Sequence, residues 1–129
     1  MKIDSRVEDQ VKSVALLSTS RRSVGCLLFR KSRLVVSASN MEGKTHPFQS
    51  RLANIAGEPY RRSLHAEIRA LLRAKESCDT LVVGRLDKSS KFRLSKPCAV
   101  CQLAIVEYGI KNVYYSTDDG SWETLELST

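Results

Sequence analysis

Two short segments of the sequence hold residue types that bind metal ions and move protons. His65 and Glu67 are two positions apart, and Cys98 and Cys101 are three apart, directly after Pro97. Imidazole and thiolate groups are preferred zinc ligands, and cysteines at positions i and i+3 share one helix face. Three protein ligands leave the fourth tetrahedral position for water, as in a catalytic zinc site. We therefore predict that His65, Cys98 and Cys101 are zinc ligands.

Both segments lie at predicted helix starts, where the positive end of the helix dipole lowers the pKa of nearby thiols. Glu67 leaves its helix in a different direction from His65, so its carboxylate can stand beside the metal without binding it. The zinc ion would lower the pKa of its bound water, and Glu67 would take a proton from this nucleophile and pass it to a leaving group. These parts predict a hydrolytic deaminase, with Glu67 as the catalytic residue.

The combination of His-x-Glu with a later Pro-Cys-x-x-Cys is the signature of zinc-dependent deaminases. On these motifs and on the run Gly109–Ser116, the sequence resembles the cytidine and deoxycytidylate deaminase superfamily over about residues 24–116. The resemblance implies an α/β fold, a three-layer α-β-α sandwich with a central mixed sheet. It also implies that Asn40 contacts the sugar of the substrate and that the backbones of Ala66 and Lys96 contact its base.

Three functions follow from this interpretation. The first is conversion of cytosine to uracil in a free nucleotide or nucleoside, with deoxycytidylate-like enzymes favoured because His65 replaces the cysteine ligand of free-cytidine enzymes. The second is deamination of cytosine or adenine in single-stranded DNA or RNA, which requires basic grooves and stacking aromatics, and only 6% of residues are aromatic. The third is a non-catalytic binding module around a closed zinc site, whose fourth ligand would be His46, Cys26 or Cys78.

Hydrophobic periodicity predicts the elements that position the motifs. A first helix is predicted over about residues 5–18 and a hairpin over 24–30 and 34–38, before a long loop over 40–62. The later predicted elements are a helix from Ser63 to about Glu76, a strand over 80–85, a helix from Pro97 to Gly109, a strand over 112–116, and a strand or short helix over 122–127. The inner face of the helix from Pro97 to Gly109 is predicted to consist of Val100, Leu103, Ala104 and Tyr108. Alternating helices and strands indicate a layered α/β sandwich.

Bulk properties bound the remaining possibilities. The 129 residues, with 42% hydrophobic residues, suit a single globular domain over 1–129 without a membrane span or a secretory signal, and we expect a cytoplasmic protein. The net charge of +7 favours anionic partners. A nucleotide phosphate would be held by residues of the long loop or near it, namely Arg51, Arg61 and Arg62. The resemblance also implies a homo-oligomer.

Four further residues are expected to be structural. Cys26 and Cys78 are interpreted as small buried apolar groups. His46 is expected to be a solvated or hydrogen-bonded loop histidine, and Trp122 is expected to pack the C-terminal segment against the domain.

Overall fold

A computed structural model of the protein describes residues 1–43, 45–58 and 64–127. Within these ranges the chain forms four helices, which are α1 (Ser5–Ala15), α2 (Pro47–Ile55), α3 (Ala66–Arg73) and α4 (Ala99–Glu107). It also forms six strands, which are β1 (Ser23–Arg30), β2 (Arg33–Ser39), β3 (Thr80–Leu86), β4 (Phe92–Arg93), β5 (Asn112–Ser116) and β6 (Trp122–Thr124). None of these helices is long and apolar enough to cross a membrane.

The six strands form one mixed sheet. Its order is β2-β1-β3-β5-β6, and the short β4 pairs with one end of β3. The β3–β5 pair is parallel, whereas the other pairs are antiparallel. In the β1–β3 pair Val24 lies opposite Arg85 and Ser23 opposite Leu86. This register places the start of β1 beside the end of β3, although the two are far apart in the sequence.

Helix α1 covers one face of the sheet. Asp4 caps its N-terminus, where the Asp4 carboxylate accepts a 3.0 Å hydrogen bond from the backbone N–H of Val7. Val7, Val11 and Ala15 follow at helical spacing and are buried. The helix lies so close to β1 that a Cβ atom on Gly25 would be 2.7 Å from the Val11 carbonyl oxygen. Glycine is therefore required at this crossing.

The side chains of β1 alternate between two cores. Leu27 and Phe29 pack in the cluster that contains the buried side of α1. Cys26 and Leu28 belong to the larger cluster on the other face, which includes buried residues of α2, α3 and α4. A central mixed sheet with helices on both faces confirms the predicted α-β-α sandwich. The buried positions of Cys26 and Cys78 also agree with their predicted structural role.

Helix α2 lies within residues 40–62, and the prediction that this whole segment is a loop was wrong. His46 caps the helix, because its Nδ1 accepts a 3.1 Å hydrogen bond from the backbone N–H of Phe48. Pro47 occupies the first turn, where its missing N–H costs nothing. The buried face of α2 consists of Gln49, Leu52 and Ala53. A polar residue among the three weakens the apolar pattern that indicates a helix.

The starts of α3 and α4 also differ from the prediction. Helix α3 begins at Ala66 with His65 as its N-cap, whereas Ser63, the predicted cap, lies outside the described residues. Helix α4 begins at Ala99 with Cys98 as its N-cap, so that Pro97 precedes the helix. Each helix thus carries a predicted metal ligand at its N-cap position.

The inner face of α4 was predicted correctly in part. Val100 and Ala104 are fully buried, but the other two predicted positions, Leu103 and Tyr108, are 36% and 40% exposed. Cys101 and Ile105 are buried instead. The helix is apolar almost all round, so its hydrophobic pattern indicates no single buried side.

Two arginines of α3 bond to the edge strand β2. Arg69 Nη1 donates a 3.0 Å hydrogen bond to the Ser39 carbonyl oxygen, and Arg73 Nη1 donates a 3.4 Å bond to that of Ser37. In the described part of the chain β2 has one neighbouring strand, β1, and these carbonyls point away from it, because bonding groups alternate along an antiparallel strand and the Asn40 N–H bonds to Val24 of β1. The side chains of α3 therefore hydrogen-bond to backbone groups that a sheet edge leaves unpaired.

The C-terminal segment forms a strand, which was one of the two predicted alternatives. Trp122 in β6 donates a 2.9 Å hydrogen bond from its indole N–H to Glu8 of α1. Its ring packs edge-on against Phe92, with ring centroids 5.1 Å apart. Trp122 thus packs this segment against the domain, as predicted.

Candidate functional site

The three predicted zinc ligands meet where α3 and α4 begin. Nδ1 of His65 lies 3.2 Å from the sulfur of Cys101 and 3.6 Å from that of Cys98. Donor atoms bound to one tetrahedral zinc at about 2.0–2.3 Å lie about 3.5–3.8 Å apart. The 3.6 Å separation falls in this range and the 3.2 Å separation is slightly shorter, so the arrangement and the donor types suit a zinc ion.

Among the residues that the structure describes, this is the one group of three or more His, Cys, Asp or Glu side chains that could hold a metal ion. Cys26, Cys78 and His46, the proposed fourth ligands of a closed site, are not part of it. Three protein donors are typical of a catalytic zinc site, whereas structural sites have four.

The two cysteines have opposite pKa shifts. A hydrogen bond from the Cys101 thiol lowers the pKa of Cys98 to about 3, with further help from His65 and against the effect of burial. The same hydrogen bond and burial raise the pKa of Cys101. These shifts favour the thiolate form of Cys98, which is the form that binds zinc, and the thiol form of Cys101, which must lose its proton when a metal ion binds.

Glu67 is only 6% exposed and lies in the first turn of α3. Burial raises the pKa of its carboxyl above the ordinary value, and the neighbouring His65 opposes this shift. A raised pKa brings proton exchange closer to neutral pH, which suits a general acid–base group.

Backbone and side-chain hydrogen bonds hold the two ligand-bearing segments. The backbone N–H of His65 donates to the side-chain oxygen of Gln49 at 3.5 Å. On the other segment, the Ser95 hydroxyl donates to the Val83 carbonyl oxygen at 2.9 Å. The Gln102 amide donates to the carbonyl oxygen of Pro97 at 2.8 Å. The helix starts are thus tied to the sheet and to α2.

A cavity of about 280 Å³ opens onto this centre. Most of the site residues predicted from the sequence line it, namely His65, Glu67, Cys98, Asn40, Ala66 and Lys96. Cys101 is fully buried outside this lining set. The volume lies near the lower end of the range of about 300–1,000 Å³ for small-molecule sites. The structure therefore brings the predicted residues to one small cavity.

The side chain of Asn40, which lines the cavity, is largely hydrogen-bonded to neighbouring residues of the protein. Its side-chain oxygen accepts hydrogen bonds from the backbone N–H of Val24, at 3.2 Å, and from the Ser18 hydroxyl. Its side-chain nitrogen donates a 2.7 Å bond to the Arg22 carbonyl oxygen. One amide N–H of Asn40 has no partner among the described residues.

Sequence reasoning missed several polar residues of the cavity wall, which are Ser20, Arg22, Glu42 and Arg85. No local sequence pattern marks these residues. Arg22 and Arg85, for example, come together only through the pairing of β1 with β3. Of the arginines predicted to hold a phosphate, Arg61 and Arg62 lie outside the described residues. Arg51 does not line the cavity, and its guanidinium instead pairs with Glu107 at 3.1 Å.

The mixed sheet between helices and the His-Cys-Cys group at two helix starts define the cytidine deaminase-like class of α/β domains. A family model for the cytidine and deoxycytidylate deaminase zinc-binding region matches residues 1–117. This match spans most of the 129 residues, and the chain belongs to this family. No curated protein sequence matches the chain significantly.

Proposed function

We propose that the protein is a zinc-dependent hydrolase that converts cytosine to uracil in a free nucleotide or nucleoside. The observation that carries the proposal is the buried carboxyl of Glu67, which lines the same cavity as His65 and Cys98. A non-catalytic zinc module has no need of a buried acid at this position, where its desolvation is unfavourable. Membership of the deaminase family supports the same chemistry.

His65, Cys98 and Cys101 would hold the zinc ion, which as a Lewis acid lowers the pKa of water and supplies a nucleophile near neutral pH. The Glu67 carboxylate takes a proton from the attacking water and delivers it to the ring nitrogen next to the reacting carbon. The water oxygen bonds to that carbon. The proton of the new hydroxyl then passes through Glu67 to the amino group, which leaves as ammonia while the carbonyl forms.

The residues of the cavity wall support the proposed substrate contacts. The backbones of Ala66 and Lys96 would contact the base, because both residues line the cavity beside Glu67. The remaining amide N–H of Asn40 would bind a sugar hydroxyl. The small cavity supports a single nucleoside or nucleotide as the substrate.

Glu67→Gln tests the proposal, because it keeps the shape of the side chain but removes its ability to carry a proton. We expect kcat for ammonia release from deoxycytidine or its monophosphate to fall by about 10²–10⁴-fold, while zinc content and unfolding midpoint are retained. Glu42→Gln is the matched control, since Glu42 is an exposed acid at the same cavity. We expect this variant to keep kcat within the same order of magnitude.

Two results would contradict the proposal. Full activity of the Glu67→Gln variant would exclude the proton transfer described above. No ammonia from any cytosine nucleoside or nucleotide, with zinc-loaded wild-type protein, would exclude the activity itself.

A further inference from the structure

The segment over residues 94–98 connects β4 to α4 and has no regular secondary structure. Its Lys96 lines the cavity, and its Cys98 carries one of the candidate metal donors. A segment without helix or strand hydrogen bonds must be held by other contacts. The contacts of Ser95, which directly precedes Lys96, therefore bear on how precisely this part of the site is fixed.

Ser95 lies where the pairing of β3 with β5 ends. The last pair between these parallel strands is Val83 with Tyr115, although both strands continue beyond it. The Ser95 hydroxyl bonds to the Val83 carbonyl oxygen at 2.9 Å. The Ser95 backbone N–H donates to the carbonyl oxygen of Ser116, the last residue of β5, at 2.9 Å. Ser95 is therefore bonded to both strands at the point where their own pairing stops.

The hydroxyl of Ser116 holds Ser95 at this point. Ser116 is fully buried, and its Oγ lies 2.8 Å from the Oγ of Ser95. The backbone N–H of Ser116 donates to the Ser95 Oγ at 3.0 Å. The Ser116 Oγ also accepts a 3.2 Å hydrogen bond from the Arg85 backbone N–H and lies 2.7 Å from the Arg93 carbonyl oxygen. One buried hydroxyl thus joins β3, β4 and β5 to Ser95, in a network whose members depend on one another.

We infer that Ser116 is a positioning residue of the candidate site. Through Ser95 it fixes the backbone of Lys96 and the sulfur of Cys98. Ser116 is buried and is not among the lining residues of the cavity, so it acts through Ser95 and not by contact with a substrate. The inference rests on the proposed function, in which the segment over residues 94–98 contacts the base and holds the zinc ion.

The short path along the chain explains why the effect reaches the site. Two residues, Lys96 and Pro97, separate Ser95 from Cys98. Proline fixes its own φ and restricts the residue before it, so this path has little freedom to absorb a shift of Ser95. A misplacement of about 1 Å at a reacting centre can lower a rate by about 100-fold. Loss of the Ser116 hydroxyl should therefore impair the chemical step.

Ser116→Ala removes this hydroxyl, and Thr80→Val is the matched control. The Thr80 hydroxyl is also in a buried residue of the sheet, and it bonds to Asp79 at the opposite end of β3. With zinc-loaded protein and deoxycytidine or its monophosphate, Ser116→Ala should lower kcat by about 10–100-fold. Thr80→Val should keep kcat within the same order of magnitude. Urea unfolding of both variants shows how much stability each one loses.

Metal binding provides a measurement that needs no substrate. Co²⁺ takes nitrogen and sulfur donors as zinc does, and its visible absorption depends on the geometry of these donors. We expect Ser116→Ala to change the absorption spectrum of the Co²⁺-loaded protein and to lower zinc affinity by about tenfold or more, measured by competition with a chelator. Thr80→Val should retain the wild-type spectrum and affinity.

Ser95→Ala removes the other hydroxyl of the pair and should change the Co²⁺ spectrum in the same way. The double variant should be little worse than either single variant, because both changes act through one contact. If Ser116→Ala does not fold, Ser95→Ala takes its place in the comparison with Thr80→Val. A wild-type spectrum and zinc affinity in folded Ser95→Ala would then overturn the positioning role.

The two measurements distinguish failure of this inference from failure of the proposed function. If Ser116→Ala matches Thr80→Val in kcat, Co²⁺ spectrum and zinc affinity, the positioning role is overturned and the deaminase proposal stands. If the wild type deaminates no cytosine compound but Ser116→Ala changes the Co²⁺ spectrum, the deaminase proposal fails. The role of Ser116 in positioning the metal donors then stands.

Discussion

The side-chain oxygen of Gln49 accepts a hydrogen bond from the backbone N–H of His65, over an N···O distance of 3.5 Å. Gln49 is fully buried in α2, and His65 is both the N-cap of α3 and a member of the group that could hold a metal ion. This contact joins α2, which was not predicted from the sequence, to the candidate metal centre. It implies that α2 helps to fix the position of the His65 ring.

Gln49→Leu should weaken both the fold and metal binding. The change keeps a similar volume but removes the Gln49 oxygen that accepts from the His65 N–H, so we expect a loss of about 1–3 kcal/mol in the free energy of unfolding. We also expect weaker zinc binding, measured by competition with a chromophoric chelator. Gln10→Leu in α1, on the other side of the sheet, is the control. Unchanged zinc affinity in Gln49→Leu would contradict the role of Gln49 in positioning His65.

Removal of one sulfur ligand should abolish tight zinc binding. The zinc-loaded wild type is expected to hold one ion per chain, and Cys98→Ser should lose most of it in a measurement of metal content after dialysis. Cys78→Ser, which changes a buried thiol outside the donor group, should keep the metal. Chelation of zinc should lower the Tm of the wild type but not that of Cys98→Ser, because a ligand that binds the folded state stabilises it. Retention of zinc by Cys98→Ser would exclude this ligand set.

Gly25→Ala should destabilise the fold through the contact between β1 and α1. The added Cβ would lie 2.7 Å from the Val11 carbonyl oxygen and 2.8 Å from the Ala15 backbone nitrogen, and backbone atoms cannot move aside without displacing the helix. Overpacking of this kind costs about 1–3 kcal/mol. Urea unfolding measures the loss, with Ser23→Ala on the same strand as the control. Equal stability of Gly25→Ala and wild type would show that α1 can shift without cost.

The stability of the folded protein should depend on pH through Asp119, which lies in the turn that joins β5 and β6. Hydrogen bonds from the Ser121 and Thr117 hydroxyls lower the pKa of Asp119 to about 2. Because this value is below the unfolded value of about 3.9, the ionised carboxylate contributes stability that is complete above about pH 4 and is lost as the pH falls towards 2. Asp119→Asn should therefore be less stable than wild type at pH 6, with a difference that disappears near pH 2.

Urea unfolding at several pH values measures this difference. Asp9→Asn, which changes an exposed acid of α1, is the control. A constant difference in the free energy of unfolding between Asp119→Asn and wild type from pH 6 to pH 2 would contradict the stabilising role of the ionised Asp119 carboxylate.

The donor group and the layered fold could be predicted because both depend on local spacing. Residues three positions apart at a helix start, as Cys98 and Cys101 are, face the same way. The apolar runs of β1 and β3 indicate buried strands without knowledge of their partners. The signature that pairs the His65 segment with the cysteines then indicates which distant residues meet. Short-range geometry and one recognisable motif pair account for this part of the site.

The rest of the site depends on long-range geometry that leaves no local trace. Arg22 and Arg85 share the cavity because β1 and β3 pair in one register, and a different register would separate them. Helix α2 was missed because a buried polar residue, Gln49, interrupts its apolar face. Its cap, His46 followed by Pro47, was a usable signal, since proline favours the first turn of a helix.

The hydrogen bonds from Arg69 and Arg73 to the backbone of β2 have a consequence for aggregation. An open edge strand can template pairing with a strand of another molecule, which leads to domain swapping or amyloid-like growth. Here a foreign strand would have to displace two arginine side chains from the Ser39 and Ser37 carbonyls before it could pair with β2. Helix α3, which begins at the candidate metal centre, therefore also disfavours extension of the sheet from that edge.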